Sequence, residues 1–193
     1  MGTGRLEAFS DGVMAILITI MVLELRAPAG ASANDLWDLR AKFLSYLLSF
    51  VYIGIYWNNH HHLLQATERI NGMILWANLH LLFWLSLVPF FTAWMGEEDF
   101  AEVPVFSYGC VLLLAAIAYY LLQLAIVAED GPDSKIAAAL GRDIKGKISP
   151  VVYLVAMSMA FLLRWVSLGL YVAVAVMWFV PDRRMEATVR NDQ

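Results

Sequence analysis

The stretch RLEAFSDGVMAILITIMVLEL, residues 5–25, sets an arginine, a glutamate and an aspartate into the first two turns of a run otherwise greasy enough to cross a bilayer. A hydrocarbon core needs roughly 20 apolar residues per helix, and an ionisable group within such a helix is costly unless a partner meets it. The stretch therefore predicts a membrane-spanning first helix with a polar head that other parts of the chain must satisfy.

Composition points the same way. The 193 residues are 61% hydrophobic, 13% aromatic and 16% charged, against an ordinary charged share of about 25%. A net charge of -4 advertises no basic surface, so nucleic acid is not an expected partner. Cys110 is the lone cysteine, which excludes an intramolecular disulfide and any CxxC motif. It reads as a packing residue.

Apolar runs fall at about 6–25, 43–64, 73–95, 103–128, 148–163 and 165–180, which predicts an all-α integral membrane bundle of six transmembrane helices. One such domain accounts for residues 1–193. The last two runs are short and separated only by Arg164, so a tight helical hairpin and one long bent helix both stay open. Between the others lie polar connections, among them RAPAGASANDLWD after the first run and GEEDFAEVP after the third. The first run is too long for a signal peptide and lacks a small-residue cleavage site.

Orientation follows from the lysines and arginines of the connections. With six spans both termini share a side, and that side holds Arg5, Arg69, Lys135, Arg142, Lys145, Lys147, Arg183, Arg184 and Arg190, while the other holds Arg26, Arg40, Lys42 and Arg164. The excess places both termini in the cytoplasm and the protein in the cell membrane as a multi-pass chain, with lipid as its surroundings.

Depth then groups the polar residues. Asp11 lies about 9 Å along the helix from Arg5, at 1.5 Å per residue, near the cytoplasmic boundary. The second span reaches that level at WNNHHHLL, residues 57–64, and the third leaves it with Asn71, Asn78 and His80. Ser10, Asp11, Trp57, Asn58, a histidine such as His61, and Asn78 are therefore expected to satisfy one another in a polar clasp. Adjacent helical residues point about 100° apart, so His60, His61 and His62 cannot converge on one ion as an i, i+4 pair does. No metal or other cofactor is expected.

The same periodicity divides the first helix into two surfaces. Ile16, Thr19, Ile20 and Leu23 form one stripe, and Glu7, Ser10 and Asp11 lie on the opposite side. If several subunits surround an axis, the stripe lines a narrow hydrophobic path with one hydroxyl ring, and such constrictions gate by dewetting.

Arg5, Phe9, Ser10 and Asp11 compose an R-x-x-x-F-S-D motif at the head of a first transmembrane helix with the aliphatic tail ITIMVLEL. The motif resembles the signature of bacterial members of the transmembrane protein 175 family of potassium channels. YWNNHHHLL in the second span and WANLHLLFWLSLVPFFTAW in the third also look like that family, so the specific likeness covers about residues 5–95. Later spans agree in number and spacing. The resemblance implies a homotetramer whose first helices line the pore, with Ile16, Ile20 and Leu23 at the constriction. It places Thr19 where some members carry a threonine linked to selectivity. Met14 departs from the phenylalanine common at its position, a change expected to affect packing more than conduction.

Other function classes fit less well. A membrane enzyme needs convergent reactive groups, and spans four to six hold almost no ionisable residue at depth. A secondary transporter typically shows repeats and broken midplane helices, but Pro89 is the sole proline well inside a span and no repeat is visible. The potassium filter sequence TVGYG is absent. The tryptophans and tyrosines suit interfacial belts, with Trp94, Trp165 and Trp178 near span ends. SKIAAALGRDIKGK, residues 134–147, reads either as a segment lying on anionic headgroups or as a soluble helix leading into span five. The expected function is a potassium-permeable channel with weak to moderate selectivity among monovalent cations. A proton leak channel or a small cation-coupled transporter is the alternative.

Overall fold

Eight helices account for most of the chain that the computed structural model describes, which comprises residues 3–132, 134, 136–138 and 143–179. They are α1 (Thr3–Leu23), α2 (Ala33–Trp37), α3 (Arg40–Gln65), α4 (Gly72–Ser86), α5 (Val88–Glu97), α6 (Glu102–Asp130), α7 (Ile144–Ala160) and α8 (Arg164–Phe179). Among the described residues there is no strand, so the protein is all-α. Arg142, Arg183, Arg184, Arg190 and Lys135, which carry much of the expected charge asymmetry, and most of the 134–142 segment lie outside the described residues.

Among the described residues three helical stretches are long and apolar enough to cross a membrane: α1, the continuous pair α4–α5 over Gly72–Glu97, and α6. α8 is apolar but shorter. α3 has 26 residues, and its lower hydropathy comes from Arg40 and Lys42 in its first turn, Ser45 and Ser49, and the run NNHHH at residues 58–62.

Local chemistry marks the helix ends. Asn71 caps α4 by accepting from Ile74 N at 2.9 Å, and Asp143 caps α7 by accepting from Gly146 N at 2.8 Å. Such caps satisfy donors that the first turn leaves unpaired. α6 stops at Gly131, whose φ of 98° falls in a region glycine enters without a Cβ penalty. The third apolar run is not one straight helix: it breaks at Leu87, because Pro89 has no N–H to donate and its ring crowds the carbonyl four residues back. The last two runs form a hairpin. α7 ends at Ala160, and Arg164 opens α8 rather than separating the two alone. The first connection also contains a short helix that its polar composition conceals: Ser32 and Asp35 form a reciprocal capping box at the head of α2.

The core is assembled by α4 against α6, α6 against α7, α7 against α8 and α3 against α5. Gly96 lets α5 approach α3 closely, since a Cβ there would stand 2.8 Å from Lys42 Cα. Lys42 Nζ and Glu97 Oε1, 3.5 Å apart, tie the same two helices. α1 packs mainly on α3, with lesser contacts to α4 and α5. It thus buries one side, through Leu6, Ser10, Met14, Leu17 and Met21, and leaves the other uncovered.

Candidate functional site

α1 presents two faces with different chemistry. On its uncovered face, Ile16 is 57% exposed, Ile20 41% and Leu23 76%, while Leu17, one position round from Ile16, is 5% exposed. Thr19 is also exposed, and its hydroxyl donates to Ile16 O at 2.9 Å. That internal bond spares the hydroxyl an unpaired proton on an apolar surface. Met14, the departure from the family's phenylalanine, is 1% exposed and packs in the core.

The buried face carries the polar network. Asn78, on α4 and fully buried, donates through Nδ2 to Ser10 Oγ at 3.0 Å and receives His60 Nε2 on Oδ1 at 2.7 Å. Ser10 Oγ passes its own proton to Leu6 O at 2.9 Å. One amide thereby joins α1, α3 and α4. Three helix surfaces that would otherwise expose polar groups to lipid close on one another.

A second, more exposed tier borders this core. Trp57 Nε1 donates to Asp11 Oδ1 at 3.0 Å. His61 stacks on Trp57, with ring centroids 6.0 Å apart and planes 20° from parallel. Its Nδ1 lies 2.6 Å from Glu7 Oε1 in an ion-pair contact, and its Nε2 meets Gln65 Nε2 at 2.9 Å. Asp11 is therefore engaged from α3, on the side of α1 away from the Ile16 stripe.

Ser10 and Asn78 thus meet in the buried network with His60, while Asp11 and Trp57 pair in the outer tier beside His61. Asn58 differs from expectation: its side chain is exposed and takes no part, because α3 turns Asn59 and His60 inward. Arg5 and Phe9 likewise lie outside the network, with Phe9 52% exposed on the stripe side of α1. The histidine that bonds Asn78 is His60, and the three neighbours diverge: His60 to Asn78, His61 to Glu7 and Gln65, and His62 to a ring contact with His61. His80 is exposed and accepts from Trp84 Nε1.

Two features escape the sequence reading. Ser49 Oγ lies 2.6 Å from Thr92 Oγ1 and 3.0 Å from Tyr108 Oη, which links α3, α5 and α6 behind Met21 of α1. Tyr52, Tyr108, Tyr153 and Tyr171 are fully or almost fully buried and touch one another edge-on or tilted. They are bundle core, not interfacial belt. Tyr52 Oη donates to Tyr171 O at 2.7 Å and Tyr171 Oη to Val105 O at 3.2 Å, so these hydroxyls find partners inside the protein. Trp178 is likewise tied inward, donating to Ser149 Oγ at 2.8 Å. A signal existed in Tyr52 and Tyr56, four residues apart on one face of α3.

Comparison with known proteins bears on this site. The family described as the endosomal/lysosomal potassium channel TMEM175 matches residues 5–89, which hold the stripe and the clasp. A potassium channel from Chryseobacterium sp. (strain P1-3) is 48% identical over the whole of both chains. One from Chamaesiphon minutus is 31% identical over 90% of this chain and 92% of its own. The endosomal/lysosomal proton channel TMEM175 of Gallus gallus is 31% identical over 58% of this chain but only 25% of its own length. Among solved structures, a lysosomal potassium-selective channel TMEM175 homolog from Chamaesiphon minutus superposes with a TM-score of 0.81 at 31% identity, covering 92% of this chain and 96% of the other. By sequence over its full length and by fold, the chain belongs to the TMEM175 family of potassium channels.

Proposed function

We propose that four copies of this chain surround an axis lined by their α1 helices and conduct potassium, with weak to moderate preference over other monovalent cations. The observation that carries the reading is the division of α1. Its polar side is consumed by the chain's own α3 and α4, while Ile16, Ile20 and Leu23 face outward in a straight row. A row repeated around an axis gives rings of aliphatic side chains, and rings of that kind oppose a hydrated ion until the path wets. Thr19 adds one hydroxyl ring between them. No carbonyl cage takes part, since the constriction is built of side chains.

Six spans follow from α1, α3, the pair α4–α5, α6, α7 and α8, with both termini cytoplasmic and the chain embedded as a multi-pass protein of the cell membrane. This orientation sets the clasp near the cytoplasmic boundary and the stripe deeper in the bilayer. A channel of this kind uses no catalytic group and no bound cofactor. A second reading, proton leak, is favoured by one observation: the animal relatives are named proton channels. Reversal potentials of purified protein in liposomes under imposed potassium, sodium and proton gradients test both. A reversal that follows potassium supports the first reading, and one that follows the proton gradient alone supports the second.

A further inference from the structure

Apart from the stripe and the clasp, the bundle holds a small cavity between α3, α6, α7 and α8, with a volume of about 50 Å³. A single water needs about 10–15 Å³ on that scale, so a guest of three to five heavy atoms fits. Six of the thirteen lining residues are aromatic, Tyr56, Tyr119, Tyr153 and Trp178 among them, and Asp143 adds a carboxylate. Among the described residues that line it there is no cationic side chain.

The rings are held in place. Tyr119 Oη donates to Asn59 O at 3.1 Å, and the Tyr56 and Tyr119 rings meet edge-on with centroids 6.1 Å apart. Trp178 Nε1 donates to Ser149 Oγ, which donates in turn to Lys145 O at 2.8 Å. Asp143 is fixed by accepting from Gly146 N through Oδ1, and its second oxygen supplies the negative end of the wall. Asn59, also in the wall, is held by its Nδ2, which donates to Ile55 O at 2.8 Å.

We propose that this cavity binds a small organic ammonium group. Ring faces attract a cation through their quadrupole, most strongly when the cation is desolvated, and boxes of aromatic side chains are the usual receptors for alkylated ammonium. Asp143 adds the countercharge that a neutral guest of the same shape does not use. The group belongs to a free amine or to the headgroup of phosphatidylethanolamine, since the cavity lies at the end of the bundle where α7 begins.

The test uses the full-length chain in lipid-free detergent, with thermal unfolding followed at constant ionic strength. Tetramethylammonium should raise the unfolding temperature saturably, and tert-butanol, its neutral counterpart in shape, should not. Asp143→Asn keeps a side chain suited to the cap position and should weaken the apparent affinity about tenfold through loss of one charge contact. Tyr119→Leu should do the same. Ile16→Asn should leave the response intact, which separates this cavity from cation binding in the pore. An Asp143-dependent shift seen only when phosphatidylethanolamine replaces phosphatidylglycerol in nanodiscs assigns the headgroup as the source. A response that Asp143→Asn leaves unchanged, an equal response to tert-butanol, or no response in either setting overturns the proposal.

Discussion

Asn78 spends both ends of its amide on other helices, giving protons to Ser10 and taking one from His60. Asn78→Leu keeps the volume but strands His60 Nε2 and leaves Ser10 with only its bond to Leu6 O. The expected cost is about 1–3 kcal/mol, the penalty for an unsatisfied buried polar group, read as a lower unfolding temperature in detergent. Trp57→Phe removes a half-exposed bond to Asp11 and should cost less. The stripe makes a different prediction, because its residues are exposed rather than core. Ile16→Asn should raise basal potassium current and weaken discrimination against sodium while leaving thermal stability near wild type. Leu17 is an unsuitable control: it is buried, so asparagine there injures the fold before it reports on the pore. Val22 is exposed, yet lies about 120° round from Ile16, and Val22→Asn should change current little. If Val22 proves the sensitive position and Ile16 is inert, α1 faces the axis differently. Ser10, Asp11, Trp57 and Asn78 were legible in the sequence because depth along a helix is arithmetic. The choice among His60, His61 and Asn58 was not, since neighbours differ by about 100° and a modest rotation of α3 exchanges which one points inward.

At the scale of elements, the contacts between helices are made by hydroxyls that composition alone misplaces. Tyrosine reads as an interfacial residue, but an aromatic body with a polar tip suits a bundle core equally well when a backbone carbonyl or serine is within reach. Ser49 is the point where α3, α5 and α6 meet. Ser49→Ala leaves Tyr108 Oη without its partner, whereas Thr92 keeps its bond to Val88 O at 2.7 Å. The loss should fall near 0.6 kcal/mol and below about 1.7, the span measured for interhelical bonds in a membrane bundle. It should therefore be smaller than that of Asn78→Leu, and a double-mutant cycle between Ser49 and Tyr108 isolates it. The loop helix α2 gives a pH-dependent counterpart. Hydrogen bonds from the Ser32 side chain and backbone hold the Asp35 carboxyl below its ordinary range. A carboxylate whose folded pKa is depressed supports structure above its unfolded pKa and loses that support as pH falls through the lowered value. The cap should thus be intact at neutral pH and fray in acid, followed by NMR shifts of residues 33–37, and Asp35→Ala should show the frayed signature at neutral pH. The break at Leu87 was readable only as Pro89, because a proline marks where a helix yields but not how far.

For the whole molecule, the decisive question is what covers the uncovered side of α1. A single chain offers one row of aliphatic side chains and no enclosed path, so conduction along that row requires several copies. Closed rotational symmetry is the usual way to repeat one surface around an axis without leaving an open end. The division of labour within α1 suits this arrangement, since the clasp fixes the rotation of the helix in its own subunit and so aims the row before any neighbour arrives. Native mass measurement in detergent should give about four times the 21.7 kDa chain. Co-expression provides the functional form of the test. Wild-type and Ile16→Asn chains, mixed in known ratio, should yield channels whose basal current rises in graded steps with the number of asparagines in the ring. A row that faces lipid instead would give no such ladder, because each chain would act independently, and a conducting monomer would remove the shared axis altogether. The clasp supplies the cross-check: Asn78→Leu should reduce the tetramer fraction by letting α1 turn, while the ion preference of the tetramers that survive should change little.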